Sequence, residues 1–414
     1  ADSYYGDYPP EIQKKDFGLY DCQDGRPDPG CWKPVDGNHI SDTDVYIEFD
    51  DRWAHLGNKV KENIYQQTGY PMGIKVMSMA HSYGVAYAED ILFVTVKVRN
   101  ESGDFTAFER DKNGNVVWIR DVEGDIITGN AMEMPDGNVL NRGDGFDYKE
   151  LYLGFYMDAD VLSQDINGSN YPHTNYDDFM RYIDCKVTKE FFPNGCEVIN
   201  DDTLRISMAV IGDWDGLSPS DIQGFSMETG ESIGPDFGMV AVQLLDSPYA
   251  TSPIDMDMDG YIDIYPKEKL KMTDWHWFDW YNRPGVLSRE EGMGCYAGDL
   301  NCSQAKNKEE IMYKVISGDM TNLTDGTTSL SNEKLWFFHA PDPTDPTEAD
   351  LNPHFDDVDA LEESSAFVGG EEPNGGLDCV LEMSSGPFDL AVGEQVSFSF
   401  GLVFGQNYKD LLKN

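Results

Sequence analysis

Hydrophobic and polar positions alternate most clearly near the end of the chain, where Val396, Phe398 and Phe400 interleave with Gln395, Ser397 and Ser399 in EQVSFSFGLVFG. A period of two places one set on a core and the other outward, which predicts a strand with one buried face. Runs of similar character, rich in β-branched and aromatic residues, recur upstream: DVYIEFD (44–50), GIKVMSMA (73–80), ILFVTVKVRN (91–100), NVVWIRDV (115–122) and LYLGFYMD (151–158). TLRISMAVIG (203–212), FGMVAVQLL (237–245) and KLWFFHA (334–340) continue the series, and turn signals such as NGN, PDGN and NRGDG separate its members. Helical spacing is confined to short stretches, near 56–66, in KEEIMYKVIS (308–317) and in the closing QNYKDLLKN, where Tyr408, Leu411 and Leu412 share a face.

No strand–helix alternation recurs, and no internal repeat of fixed period stands out. The pattern predicts a mainly β fold, an antiparallel β-sandwich with long decorated loops and a few short helices. Residues 1–40, rich in Pro, Gly, Asp and Tyr without periodicity, read as an extended N-terminal arm. Residues 41–414 then form one large sandwich domain with insertions at about 246–333 and 341–376. The second insertion, PDPTDPTEADLNPHFDDVDALEESS, is acidic and proline-rich, and long loops on such a scaffold are where binding concentrates.

Charge changes this picture most. Thirty Lys and Arg stand against 76 Asp and Glu, 30 − 76 = −46, a balance that repels phosphate backbones and anionic membranes and argues against nucleic-acid partners. Self-repulsion of this size calls for neutralisation by cations or screening in a saline medium. No apolar run is long enough to span a bilayer, so no transmembrane segment is expected, and the sequence opens at Ala1 without an apolar signal core, as a processed chain would.

The acidity is patterned in PIDMDMDGYID (253–263). Asp255, Asp257 and Asp259 occupy the first, third and fifth positions of a calcium loop, Gly260 the sixth, where a sharp turn is needed, Tyr261 the seventh, which lends a backbone carbonyl, and Asp263 the ninth. Pro266 stands where an EF-hand needs a bidentate Glu, so the stretch resembles instead the DxDxDGxxD calcium loops of dockerins and thrombospondin type 3 repeats; a metal-free turn is the alternative, and calcium is the expectation. Asp158 with Asp160, and Asp213 with Asp215, end two expected strands. Brought to one sheet end they would make a second calcium site or the two carboxylates of a glycosidase; left apart they are solvated turn residues.

Six of the seven cysteines form close pairs around turn-rich loops, Cys22 with Cys31, Cys185 with Cys196 and Cys295 with Cys302, which fits local disulfides in an oxidising compartment; free thiols in a reducing one are the alternative. Cys379 is left over, buried or available to cross-link subunits. Trp275, Trp277 and Trp280 in DWHWFDWYNRPG would serve either as core or as an exposed sugar-binding platform. Seven histidines without metal spacing, and the lack of a G-x-S-x-G elbow, P-loop or dinucleotide fingerprint, leave no catalytic residue to name. Arg142–Asp144 spell RGD in a turn, and N-x-S/T sequons stand at Asn100, Asn167, Asn301 and Asn322.

Taken in order, ILFVTVKVRNESGD, ELYLGFYMDADV, FGMVAVQLLDSP, YKVISGD and SGPFDLAVGEQVSFSFGLVFGQNYKDLLKN resemble a group of secreted proteins that Gram-negative bacteria export through the type IX secretion system. The resemblance implies an extracellular β-sandwich at the outer cell surface, its C-terminal sorting domain removed or replaced by another attachment, and transfers no reaction. The expectation is a calcium-stabilised, disulfide-clipped, non-catalytic protein: a subunit of a surface layer or extracellular filament that self-assembles, or an adhesive module. A polysaccharide-binding module or carboxylate-dependent glycoside hydrolase is the alternative.

Overall fold

The alternation that marks residues 395–405 persists in space. A computed structural model describes residues 41–51, 71–121, 123–133, 139–158, 178–183, 198–199, 202–203, 208–213, 239–255, 260–270, 274–279, 313, 316–317, 336–338, 379–405 and 411. Their strands are β1 (Thr43–Asp50), β2 (Ile74–Ser82), β3 (Ile91–Asn100), β4 (Phe105–Thr106), β5 (Phe108–Arg110), β6 (Val116–Trp118), β7 (Thr128–Gly129), β8 (Tyr148–Asp158) and β9 (Asp178–Ile183). They continue as β10 (Val198–Ile199), β11 (Asp202–Thr203), β12 (Met208–Asp213), β13 (Met239–Asp246), β14 (Asp274–Asp279), β15 (Trp336–Phe338), β16 (Cys379–Leu390) and β17 (Gln395–Gly405). The described chain is mainly β with antiparallel sheets, as the period-two pattern predicts.

A seven-stranded sheet runs β1-β2-β3-β17-β13-β12-β9 and a four-stranded sheet β15-β14-β16-β8, every neighbouring pair antiparallel. One apolar cluster draws on both: Val98, Ile211, Val242, Phe398 and Phe400 from the larger sheet, Leu381, Met383, Phe388 and Leu390 from the smaller. Phe155 meets Phe400 with ring centroids 5.2 Å apart, and Phe388 meets Phe398 at 5.4 Å. Val396, Phe398 and Phe400 join this core as the alternation requires. Gln395 departs from it: only 3% exposed, it donates from Nε2 to Glu109 Oε1 at 2.9 Å, so a hydrogen bond compensates its burial.

β16 lies outside the runs read as strands from sequence, although it is twelve residues long. Its Gly386-Pro387 pair reads as a break, and Ser384 and Ser385 interrupt the apolar pattern. The strand absorbs the proline as an irregularity, with the register on β8 shifting between Ser385 and Phe388, while both serines are 2% exposed. NVVWIRDV forms only a three-residue strand, β6.

Between β4 and β8 the chain makes two hairpins of one design and a third antiparallel bridge of the same separation. Arg110 pairs with Val116, Arg120 with Ile126 and Glu133 with Val139, each pair six positions apart (116 − 110, 126 − 120, 139 − 133). The second arms begin GNVV, GDII and GNVL. In the first two turns Asp111 and Asp121 act alike: Asp111 Oδ1 accepts from the amides of Asn113 and Asn115, both at 2.9 Å, and Asp121 Oδ1 from those of Glu123 (3.1 Å) and Asp125 (2.8 Å). Gly114 and Gly124 take φ of 83° and 91°, the left-handed residue that a three-residue hairpin loop needs. The spacing between the three pairs is ten residues and then thirteen, so no fixed period shows in the sequence. The array is tied to the body where Phe108 N–H donates to Gly393 O at 2.9 Å and Arg110 Nε to Glu394 Oε1 at 2.7 Å.

Candidate functional site

The acidic loop 254–264 hangs from a buried clasp. Ile254 and Ile264 form an antiparallel bridge, with the Ile254 amide donating to Ile264 O at 3.0 Å, and their side chains are 6% and 0% exposed. Gly260 has φ of 97° and its N–H donates to Asp255 Oδ2 at 2.9 Å, so the glycine at the sixth position folds back on the carboxylate at the first. Asp263 is 8% exposed, whereas Tyr261 is 57% exposed; Asp257 and Asp259 lie outside the described residues. With those two left out, no group of three or more potential metal ligands occurs among the described residues.

The other sequence-derived sites are dispersed. Asp158 ends β8 in the four-stranded sheet and Asp213 ends β12 in the seven-stranded one, so strand pairing does not bring them to one sheet end; Asp160 and Asp215 lie outside the described residues. Trp275 and Trp277 belong to β14, where their cross-strand partners on β16 are Met383 and Leu381, both core residues; Trp280 lies outside the described residues. Cys22, Cys31, Cys185, Cys196, Cys295 and Cys302 also lie outside them, as do the proposed arm and the helix near 56–66. Cys379 opens β16 opposite Asp279. His81, 9% exposed, meets Asp44 across β1 and β2 with Nδ1 2.7 Å from Oδ1, a buried structural pair.

Two short motifs acquire definite roles. Gly143 of the RGD sequence adopts φ of 98° and its carbonyl accepts from the Asp104 amide at 2.8 Å, while Asp144 bridges Gly103. The Asn100 sequon is internal: Asn100 is 0% exposed, and its Nδ2 donates to Phe146 O at 2.6 Å and Leu390 O at 3.0 Å. Its Oδ1 accepts from the Ser102 amide and hydroxyl at 3.0 and 2.7 Å, so the asparagine and serine of the motif hold each other and are closed to glycan attachment in the folded state.

A site absent from the sequence reading lies where the first hairpin approaches the chain around the acidic loop. It is a cavity of about 700 Å3 lined from residues 109–114, the start of β8, residues 246–251, the turn at Pro266 and Lys267, and the corner between β16 and β17. Against the chain's excess of acid, Arg110, Lys112, Lys149, Lys267 and Lys269 converge here with Glu109, Asp111, Asp147, Asp246, Asp389 and Glu394. Three of the cations are engaged: Arg110 with Glu394 at 2.7 Å, Lys149 with Asp389 at 2.6 Å and Lys269 with Asp246 at 2.8 Å. The hydrogen bond to Asp389, then its charge, raises the Lys149 pKa, and the Asn115 amide holds the Asp111 carboxyl below its usual range. Lys269 also stands 4.3 Å from the Tyr249 ring centroid. No sequence window contains this site, because its walls come from stretches up to 288 positions apart (397 − 109). Comparisons with protein-family models, with curated proteins and with solved structures give no match.

Proposed function

We propose that the protein is a non-catalytic, calcium-stabilised β-sandwich module that works outside the cell, at the outer surface of a Gram-negative bacterium, as a subunit of a surface layer or filament or as an adhesive element. The observation that carries the calcium part is the Gly260 N–H donated to the Asp255 carboxylate within a loop clasped by Ile254 and Ile264. That contact places a first-position carboxylate at the turn of the loop, and Asp257, Asp259, Asp263 and the Tyr261 carbonyl are the remaining donors for a hard cation. A cation here neutralises part of a charge of −46. Disulfides Cys22–Cys31, Cys185–Cys196 and Cys295–Cys302 belong to the same reading.

Thermal unfolding with millimolar calcium and then with chelator tests it. Binding at about 100 times Kd adds about 2.7 kcal/mol to the folded state, so the midpoint should fall in chelator, and Asp255→Asn should abolish the difference. An unchanged midpoint overturns the calcium site. In this reading the arm of residues 1–40 docks on a neighbouring subunit, and electron microscopy of the same samples tests it: polymers that form undiminished after deletion of residues 2–20 overturn that role.

The cleft favours a second reading, a polysaccharide-binding module. Hydrolysis gains less support, because the cleft's Glu394, Asp389 and Asp246 are held in ion pairs and Asp158 and Asp213 end strands of separate sheets.

A further inference from the structure

We propose that the cleft binds an acidic saccharide, a uronic-acid oligosaccharide, whose carboxylate is held by Lys112 and Lys267. The proposal rests on the polysaccharide-binding reading and gives it a ligand class and residues; it is independent of the calcium loop. Lys112 and Lys267 are the two cleft cations that have neither ion pair nor side-chain hydrogen bond among the described residues, in a chain with 76 acidic and 30 basic side chains. They approach the cavity from different elements, Lys112 on the first hairpin turn and Lys267 on the turn Tyr265–Glu268, which is closed by the Glu268 amide donating to Tyr265 O at 3.0 Å.

Backbone conformation supplies an independent observation. Pro266 precedes Lys267, whose φ is 75°, so the lysine occupies the turn position that glycine or asparagine normally fills. The other described non-glycine residue with left-handed backbone, Glu150 at φ of 55°, adjoins the same cleft: it follows Lys149, and its amide donates to Asp389 Oδ1 at 3.3 Å. Strained positions gather where a side chain must be presented in a set direction.

The mixture of charges selects a sugar over an acidic peptide. The six carboxylates in the lining accept hydrogen bonds from sugar hydroxyls, donors that the side chains of an acidic peptide lack, and Asn113, Thr251 and Ser397 add neutral partners. Pro248, Tyr249 and Pro266 offer apolar surface to the C–H face of a ring.

Titration calorimetry of the full chain with tetragalacturonate, its neutral counterpart galactotetraose, and tetraglutamate tests this. Tetragalacturonate should bind, and the neutral sugar and the peptide should bind at least about tenfold more weakly. The double variant Lys112→Gln/Lys267→Gly should lose about tenfold or more in tetragalacturonate affinity. Its thermal midpoint should hold or rise, because glycine suits φ of 75°, and this separates loss of ligand from loss of fold. Equal binding of the neutral sugar overturns the acidic-ligand proposal and leaves the polysaccharide reading standing. Failure of both sugars overturns both readings, and undiminished binding by the double variant overturns the assignment to these lysines.

Discussion

Asn100 is the residue on which most of the local geometry turns. Besides four side-chain hydrogen bonds, its amide donates to Glu394 O at 3.0 Å and its carbonyl accepts from Gly393 N–H at 2.9 Å, joining the end of β3 to the β16–β17 corner. Asn100→Ala strands several buried partners at once, so a loss of about 3–5 kcal/mol is expected in urea unfolding, and peptide mapping after expression in a glycosylating host should find Asn100 bare. Tyr148 provides the pH test: burial, and then the nearby Asp51, push its pKa up to about 12 from 10.0. The folded state thus keeps the phenolic proton after the unfolded chain has lost it, so this stabilisation is whole below pH 10 and drains away as pH rises through 12. Tyr148→Phe gives up the hydrogen bond to Met72 O, lowering stability by about 1 kcal/mol near neutrality, and the gap to the wild type should narrow in strong alkali. Persistence of the full gap at high pH would contradict the raised pKa.

Among the elements, the hairpins offer a paired test. A methyl group at Gly114 or Gly124 meets nothing within 4 Å, so an alanine at either position is charged only for its left-handed backbone, about 1–2 kcal/mol. The two losses should match within experimental error; a large difference in denaturation midpoints would mean that the turns are not equivalent. Sequence reading reached the strands that bury one face, such as β3 and β17, because packing imposes a period of two. It missed β16, where Gly386 and Pro387 imitate a turn and buried serines imitate a surface. The hairpin array escaped because two unequal spacings hide a common design. Half of the acidic loop was readable, since Gly260 and Asp255 interact over five positions, a local matter of turn chemistry. The cleft of mixed charge was not, since tertiary folding alone assembles residues 109–114 with 246–251 and 388–397.

For the molecule as a whole, a charge of −46 predicts that thermal stability rises with sodium chloride up to about 0.5 M, as screening relieves self-repulsion. Melting curves that fall over that range would show that local ion pairs outweigh the net charge. The two sheets contribute to one apolar cluster, and the corner Ala391–Glu394 joins them: β16 lies between β14 and β8 in one sheet, and β17 between β3 and β13 in the other. One interior strand of each sheet is therefore made after the other described strands, and β17 registers against β3, with Val396 opposite Val98. A ribosome that has synthesised residue 378 has released a chain in which neither sheet can be continuous. Continuity of both sheets therefore waits on one stretch, residues 379–405, which takes a few seconds to make at roughly 5–20 residues per second.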